Sequence, residues 1–455
     1  MVRFFRISLT NRGGRGKINA KENRSGKGGS ATRAAAVICE CNPPHAGHAR
    51  VIAAAKEDAG LAVCLLSGPF VQRGEAAVLT PRARAEILLG MGADLVLELP
   101  FPYAAAGAET FAAAGVSILS RLGATDLWFG SERGALPLLS RLAETADNPA
   151  FQAQYAAKVS GSAAGTAALW SETLSDLCGL KDPLSPNDLL AVSYLRAIAA
   201  QGSGLAPHAL KRTGDGEERA SLPAADRGTI PSAAALRKAV FAGNLQSVYA
   251  FLPDFEQAVL ERERAAGRFP LSLDFAAPAL LSHLRLADPA ALDEVPDLSG
   301  GLGRRIRAAA NEAVSLSDLL ARAATKKYPT ARLRRGLLFS LLGVARSDLS
   351  SPPAYVRLLA ANAAGMSFLA SVRKTASIPM VTANAGIPKT GAARRQAELS
   401  RRALSLFALC FPAPVSPADL LRAGPYLPAR PLFPAFPIFS RRGLDKSAPA
   451  WYNIL

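Results

Sequence analysis

The chain has 455 residues, 49% apolar and 20% charged, a globular balance with length enough for two or three domains, each with its own core. No apolar run has the length and purity of a membrane span; the most apolar tract, around 337–344, is bounded by Arg332, Arg334, Arg335 and Arg346 and reads as a buried helix. The formal net charge of +17 favours a polyanionic partner, nucleic acid or anionic lipid.

Residues 1–33 hold nine Lys/Arg and one Glu, which is +8 of that charge and leaves +9 on the remaining 422 residues. Rich in Arg, Lys, Gly, Ser and Asn, they have too little apolar surface to fold alone and no apolar signal core. They are expected to be a basic disordered extension: an organellar presequence, a basic arm on RNA, or residues upstream of the true start.

From Ala34 short apolar runs alternate with helical patterns. The expected elements are strand 34–39, helix 45–59, strand 61–66, helix 80–91, strand 94–98, helix 107–122 and strand 125–129. This alternation predicts an α/β fold, a Rossmann-like doubly wound parallel sheet with helices on both faces. Ligands bind such sheets at the carboxyl ends of the strands, so the loops 40–48, 67–75, 98–103 and 129–132 should converge.

The first of these loops reads Glu40-Cys-Asn-Pro-Pro-His45-Ala-Gly-His48. Asn42-Pro43-Pro44 ends the strand, because proline lacks the ladder N–H. The helix that follows opens with His45 and His48, three apart and on one face of its first turn. A helix N-terminus presents unpaired N–H groups to phosphate, and Gly47 lets a ligand come close. Imidazoles there can stabilise charge developing at phosphorus. Only four histidines occur in the chain, and half of them lie in this H-x-G-H; after a strand and opening a helix, the motif resembles the signature of the nucleotidyltransferase superfamily, whose members attack the α-phosphate of ATP.

Further along, Arg73 in Ser67–Glu75 can meet a carboxylate or phosphate. Glu98 is expected to be either catalytic or a structural acid paired with Arg73, Arg82 or Arg84. Gly130 would let adenine or ribose lie against the backbone. Ser185, Asn187 or Asp188 can cap the helix that runs to Ala200. A short strand from His208 ends in Lys211-Arg212 and a loop with Gly214 and Gly216 suited to triphosphate. Ser232 should cap a helix carrying Arg237 and Lys238, which a solvated basic face explains equally well.

Beyond about Pro253 helical periodicity dominates, over 302–320, 330–344 and 353–369. Basic residues cluster at Lys326-Lys327-Tyr328, at Arg332, Arg334 and Arg335, and then at 373–374, 394–395 and 401–402. A basic cluster with a tyrosine suits a phosphate backbone and a stacked base. Residues 412–437 are proline-rich and apolar. The cysteines, at 39, 41, 64, 178 and 410, form no C-x-x-C and no zinc spacing; no residue is assigned as a metal ligand. Cys39 and Cys64 read as core residues on neighbouring strands of a protein in a reducing cytoplasm.

Taken in order, these runs resemble the bacterial tRNA(Met) cytidine acetate ligases, members of the HxGH nucleotidyltransferase superfamily. The resemblance rests on 40–48, 67–75, Asp94-Leu-Val-Leu-Glu-Leu-Pro100, Phe129-Gly-Ser-Glu132, Ser185-Pro-Asn187, Lys211-Arg212, 326–335 and Ser377-Ile-Pro-Met380. That family usually has Tyr, Phe and Asn where Cys41, Pro44 and Ala46 stand. The resemblance implies a nucleotide-binding catalytic domain over 34–240 and a helical tRNA-binding domain over 241–385; residues 386–455, which match the family poorly, read from composition as a basic, then proline-rich tail. It implies that acetate and ATP give acetyl-adenylate, and that the acetyl group passes to the wobble cytidine of elongator methionine tRNA as N4-acetylcytidine. His45 and His48 would be catalytic. ATP would be held along Ile38, Cys39, Glu40, Cys41, Asn42, Pro43, Pro44, His45, Ala46, Gly47, His48, Ala49, Arg50 and Val51, and by Gly130, Asn187 and Arg212. Lys211 would add charge at the phosphates and Mg2+ would shield them. Lys326, Lys327, Arg332 and Arg335 are the candidate RNA contacts. Two other readings stay open: a small-molecule adenylyltransferase of cofactor biosynthesis, and a non-catalytic RNA-binding protein with a degenerate nucleotide domain.

Overall fold

The computed structural model describes residues 33–162, 164–212, 222, 230–383 and 386–428. The extension 1–32, the loop carrying Gly214 and Gly216, and the end of the proline-rich segment lie outside the described residues.

Seven strands form one sheet in the order β5-β4-β1-β2-β3-β6-β7. They are β1 (Ala35–Cys39), β2 (Ala62–Ser67), β3 (Leu95–Leu99), β4 (Asp126–Ser131), β5 (Ala206–Lys211), β6 (Val356–Ala361) and β7 (Met380–Val381). The first five run parallel, as the strand–helix alternation requires. Between them run α1 (Ala46–Ala59), α2 (Pro81–Gly90) and α3 (Ala108–Leu122), each within two residues of its sequence-predicted span.

All of β1 is buried because it packs on both faces. Ala36 and Ile38 face a core shared with α3 and the helix Pro186–Ala200. Val37 and Cys39 face the opposite core, shared with Ile52 of α1 and Leu88 of α2. Cys39, Cys64 and also Cys41 lie in that second core as free thiols. From β1 the chain first builds β2 and β3 on one side and then β4 and β5 on the other. The crevice at the carboxyl ends of β1 and β4 is therefore the topological switch point.

Two elements differ from the sequence reading. Residues 356–361, expected within a helix 353–369, form β6 and pair antiparallel with β3, so the sheet is mixed. The helix starts only at Ala363, capped by Asn362. Residues 391–407, expected to begin a tail, form the helix Gly391–Phe407, which buries Leu399, Ala403, Leu406 and Phe407. These four enter the core of the helical region, with Leu280, Ile306, Leu337 and Phe339. Phe70 from the 67–75 loop sits in the same core, its ring 5.8 Å from Phe407 and 6.2 Å from Phe101. The helical region is thus packed directly on a loop of the crevice.

Candidate active site

The switch-point turn is held from three sides. The Cys41 backbone takes φ 48°, and Asn42 is buried with its Oδ1 accepting the Val78 N–H at 2.8 Å. Arg84, fully buried, donates to the Glu40 carbonyl at 2.7 Å and to the Gly68 carbonyl, joining two crevice loops. Burial pushes its guanidinium down to about 10, still charged at neutral pH. Arg237 donates to the Asn42 carbonyl at 2.7 Å.

α1 then begins with a reciprocal cap made of imidazoles. His45 Nδ1 accepts the Gly47 N–H at 3.0 Å, and His48 Nδ1 accepts the His45 N–H at 3.2 Å. The two rings lie 4.0 Å apart, tilted by 51°. A Cβ on Gly47 would stand 2.7 Å from His45 Cε1, so glycine is what lets the ring fold back. Because each Nδ1 accepts, each proton is on Nε2, turned away from the backbone. Burial, then His48, Arg212 and Arg237, hold the His45 imidazole well below its usual pKa. Burial lowers His48 to about 4. Both rings are neutral N–H donors at the mouth of a helix N-terminus, which suits an anion.

Glu132, at the end of β4, organises the other wall. It accepts from Ser185 Oγ, from Asn187 Nδ2 at 2.6 Å, and from Arg212 Nε at 3.1 Å. Of the three candidate caps, Ser185 is the one that caps the helix Pro186–Ala200, accepting the Asp188 N–H, so the Asn187 amide turns to the site instead. A Cβ on Gly130 would stand 3.3 Å from Arg212 Cγ; the arginine lies over the bare glycine backbone. Lys211, last in β5, is exposed beside it.

The 67–75 loop faces the helical region. Glu75 accepts from Arg237 at 3.1 Å and from Arg334 at 3.0 Å. Gly74, at φ +70°, packs so closely on the helix Thr330–Leu342 that a Cβ would stand 2.7 Å from Arg334 Cβ. Burial pushes the Glu40 carboxyl up, while Arg73 and the Gln72 N–H oppose it. Glu98, expected to pair with Arg73, Arg82 or Arg84 if structural, meets Arg357 at 3.6 Å, because β6 carries Arg357 opposite it; Arg84 donates to carbonyls instead. Lys326 and Lys327 are exposed, whereas Arg335 binds Asp297 at 2.7 Å and Arg332 donates to the Asp297 carbonyl while lying over the Tyr328 ring.

Sequence reasoning missed Glu132 as a hub, Arg84 as a brace and Arg237 as a site residue. The signal for Glu132 was its place directly after a strand end at the switch point.

This geometry defines a nucleotidyltransferase. The sequence model of the HIGH nucleotidyl transferase family matches residues 32–419, and the chain belongs to that family. Within it the chain is a member of the tRNA(Met) cytidine acetate ligases. It is 31% identical to the ligase of that name from Acetivibrio thermocellus over 398 residues, covering 83% of this chain and 95% of the relative. It is 35% identical to the one from Syntrophotalea carbinolica, covering 77% and 84%. The crystal structure of apo Thermotoga maritima TmcAL superposes with a TM-score of 0.79 at 29% identity, over 87% of this chain and 99% of that one. The same protein bound with alpha-thio ATP gives 0.78 at 28% identity, with the same coverage.

Proposed function

We propose that this chain activates acetate with ATP and transfers the acetyl group to the wobble cytidine of elongator tRNA(Met), forming N4-acetylcytidine in the cytoplasm. The observation that carries this reading is the reciprocal cap of His45 and His48, which aims two neutral Nε2–H donors out from the switch point. An acetate oxygen attacks the α-phosphorus, the bond to the pyrophosphate oxygen breaks, and acetyl-adenylate forms. The two imidazoles donate to oxygens on the α-phosphoryl group, whose charge grows in the transition state. The positive end of the α1 dipole adds to that field. ATP lies along residues 38–51, with Gly130, Asn187 and Arg212 on the other wall and Lys211 near the phosphates. The cytidine N4 amine then attacks the acetyl carbon, AMP leaves, and the amine gives up a proton.

Magnesium supplies charge shielding for the triphosphate. The donor set fits an ion carried in on substrate phosphates and water rather than a protein cage. Among the described residues the one cluster of ligand-type side chains, Asp58, Asp126 and His208, lies at the amino end of the sheet and already encloses the Arg33 guanidinium. The exposed Lys326 and Lys327 are the proposed tRNA contacts, with Arg332 and Arg335 holding the Tyr328 ring and the Asp297 loop behind them.

ATP–pyrophosphate exchange tests the first half-reaction. Labelled pyrophosphate should enter ATP only when acetate is present. Exchange that ignores acetate but needs a phosphate-ester metabolite would overturn the reading.

A further inference from the structure

We propose that Glu132 is the positioning residue of the ATP site: one carboxylate sets the reach of both Asn187 and Arg212 before the nucleotide arrives. This rests on the ATP site proposed above. Asn187 Nδ2 and Arg212 Nε both bind the same oxygen, Oε1, at 2.6 and 3.1 Å. Ser185 binds the other oxygen and at the same time caps the helix that carries Asn187. Among the described residues Glu132 is the only side-chain partner of Asn187 and Arg212. Among the described residues no other side chain takes the Asn187 Oδ1 or the outer guanidinium N–H groups of Arg212, and these can meet a ligand.

The carboxylate is itself fixed. Ser131 Oγ donates to the buried Asp188 and accepts the Gly134 N–H at 3.0 Å, and Asp188 also accepts the Arg133 N–H at 3.3 Å, so the backbone on both sides of Glu132 is tied down. Arg212 follows directly on β5 and its side chain is 39% exposed. Without Glu132 nothing on the described surface holds that long side chain over Gly130. A group fixed in advance loses less freedom on binding, so removing Glu132 acts on ATP affinity.

The test uses the full chain, α,β-methylene ATP as the binding probe, and steady-state kinetics of acetate-dependent exchange. Glu132→Gln keeps one acceptor oxygen, for Asn187, turns an amide NH2 toward Ser185, and removes the charge that holds Arg212. It should raise the probe's Kd and the KM for ATP by roughly 10–100-fold, the range for groups that orient a ligand's contacts. It should change kcat by less than about threefold, and leave the ligand-free melting temperature nearly unchanged. Glu132→Asp should recover part of the affinity. Unchanged Kd and KM in Glu132→Gln, or a loss confined to kcat or to thermal stability, would overturn the assignment. If the wild-type chain itself does not bind the probe, the ATP-site reading fails instead, and the two failures are told apart by that control.

Discussion

At neutral pH the His45 and His48 imidazoles should both be uncharged, each carrying its proton on Nε2, because burial and the neighbouring arginines lower both pKa values. Nitrogen-15 NMR of the labelled histidines checks this: both should hold the neutral Nε2–H tautomer down to about pH 6. A charged ring or an Nδ1–H tautomer at neutral pH would contradict the cap geometry. The depressed values also set a stability window. The unfolded histidines take up protons below about 6.5, where the folded ones do not, so this contribution is lost as pH falls from there toward about 4. His45 has two tasks, and substitutions can separate them. His45→Asn keeps a capping side chain and His45→Ala removes it, which should cost about 1 kcal/mol of stability. Both should slow adenylation by orders of magnitude, as should His48→Ala. Normal exchange activity in His45→Asn would remove the imidazole from the chemistry. The two histidines were legible because their spacing, a strand before them and a helix after them are all local. Glu132 and Arg237 were not, since their partners lie tens of residues away and only the sheet order brings them together.

Strands β1 to β4 and helices α1 to α3 could be read because every apolar run is bounded by a breaker or a cap, such as Asn42-Pro43, Thr80-Pro81 and Gly123. β6 could not. Val356-Arg-Leu-Leu-Ala-Ala is mostly good helix formers, and its strand state comes from pairing with β3. The helix Asp254–Ala265 carries a further cost that is invisible in sequence: Glu256 is fully buried with neither carboxylate oxygen hydrogen-bonded among the described residues. Burial raises its pKa well above 4.5. The folded chain therefore holds that proton longer than the unfolded one, and stability falls as pH rises above about 4.5 until the folded pKa is passed. Glu256→Leu should raise the melting temperature more at about pH 8 than at about pH 5. Equal gains at both would show that the carboxyl is not held neutral. Arg84 is the opposite case, a buried charge whose donors reach carbonyls of two crevice loops. Arg84→Leu should destabilise by about 3 kcal/mol or more, read from denaturant midpoints.

Across the whole molecule, the +9 on residues 34–455 argued for a polyanion from composition alone, but composition does not say where it binds. Many arginines of the helical region are committed internally, Arg335 to Asp297, Arg395 to Asp348 and Arg402 to Glu398. The cluster at 326–335 divides accordingly, into exposed lysines and engaged arginines. Reversing the charge of Lys326 and Lys327 should weaken tRNA binding and reduce the salt slope by roughly 0.7–0.9 per lost phosphate contact, with ATP binding unchanged. Unchanged RNA affinity would take this face out of the interface. Glu75 stands between that helical region and the turn, held by Arg334 from one side and Arg237 from the other. The two halves are therefore packed as one structure around the crevice.

The most direct measurement supplies radiolabelled acetate, ATP and magnesium to the full chain, with and without total bacterial tRNA, and follows the label by nucleoside analysis. Label in N4-acetylcytidine of the methionine elongator tRNA, dependent on ATP, is the result the proposed reaction requires. No label in tRNA, with pyrophosphate released only on addition of a phosphate-ester metabolite, would contradict it and identify a small-molecule adenylyltransferase.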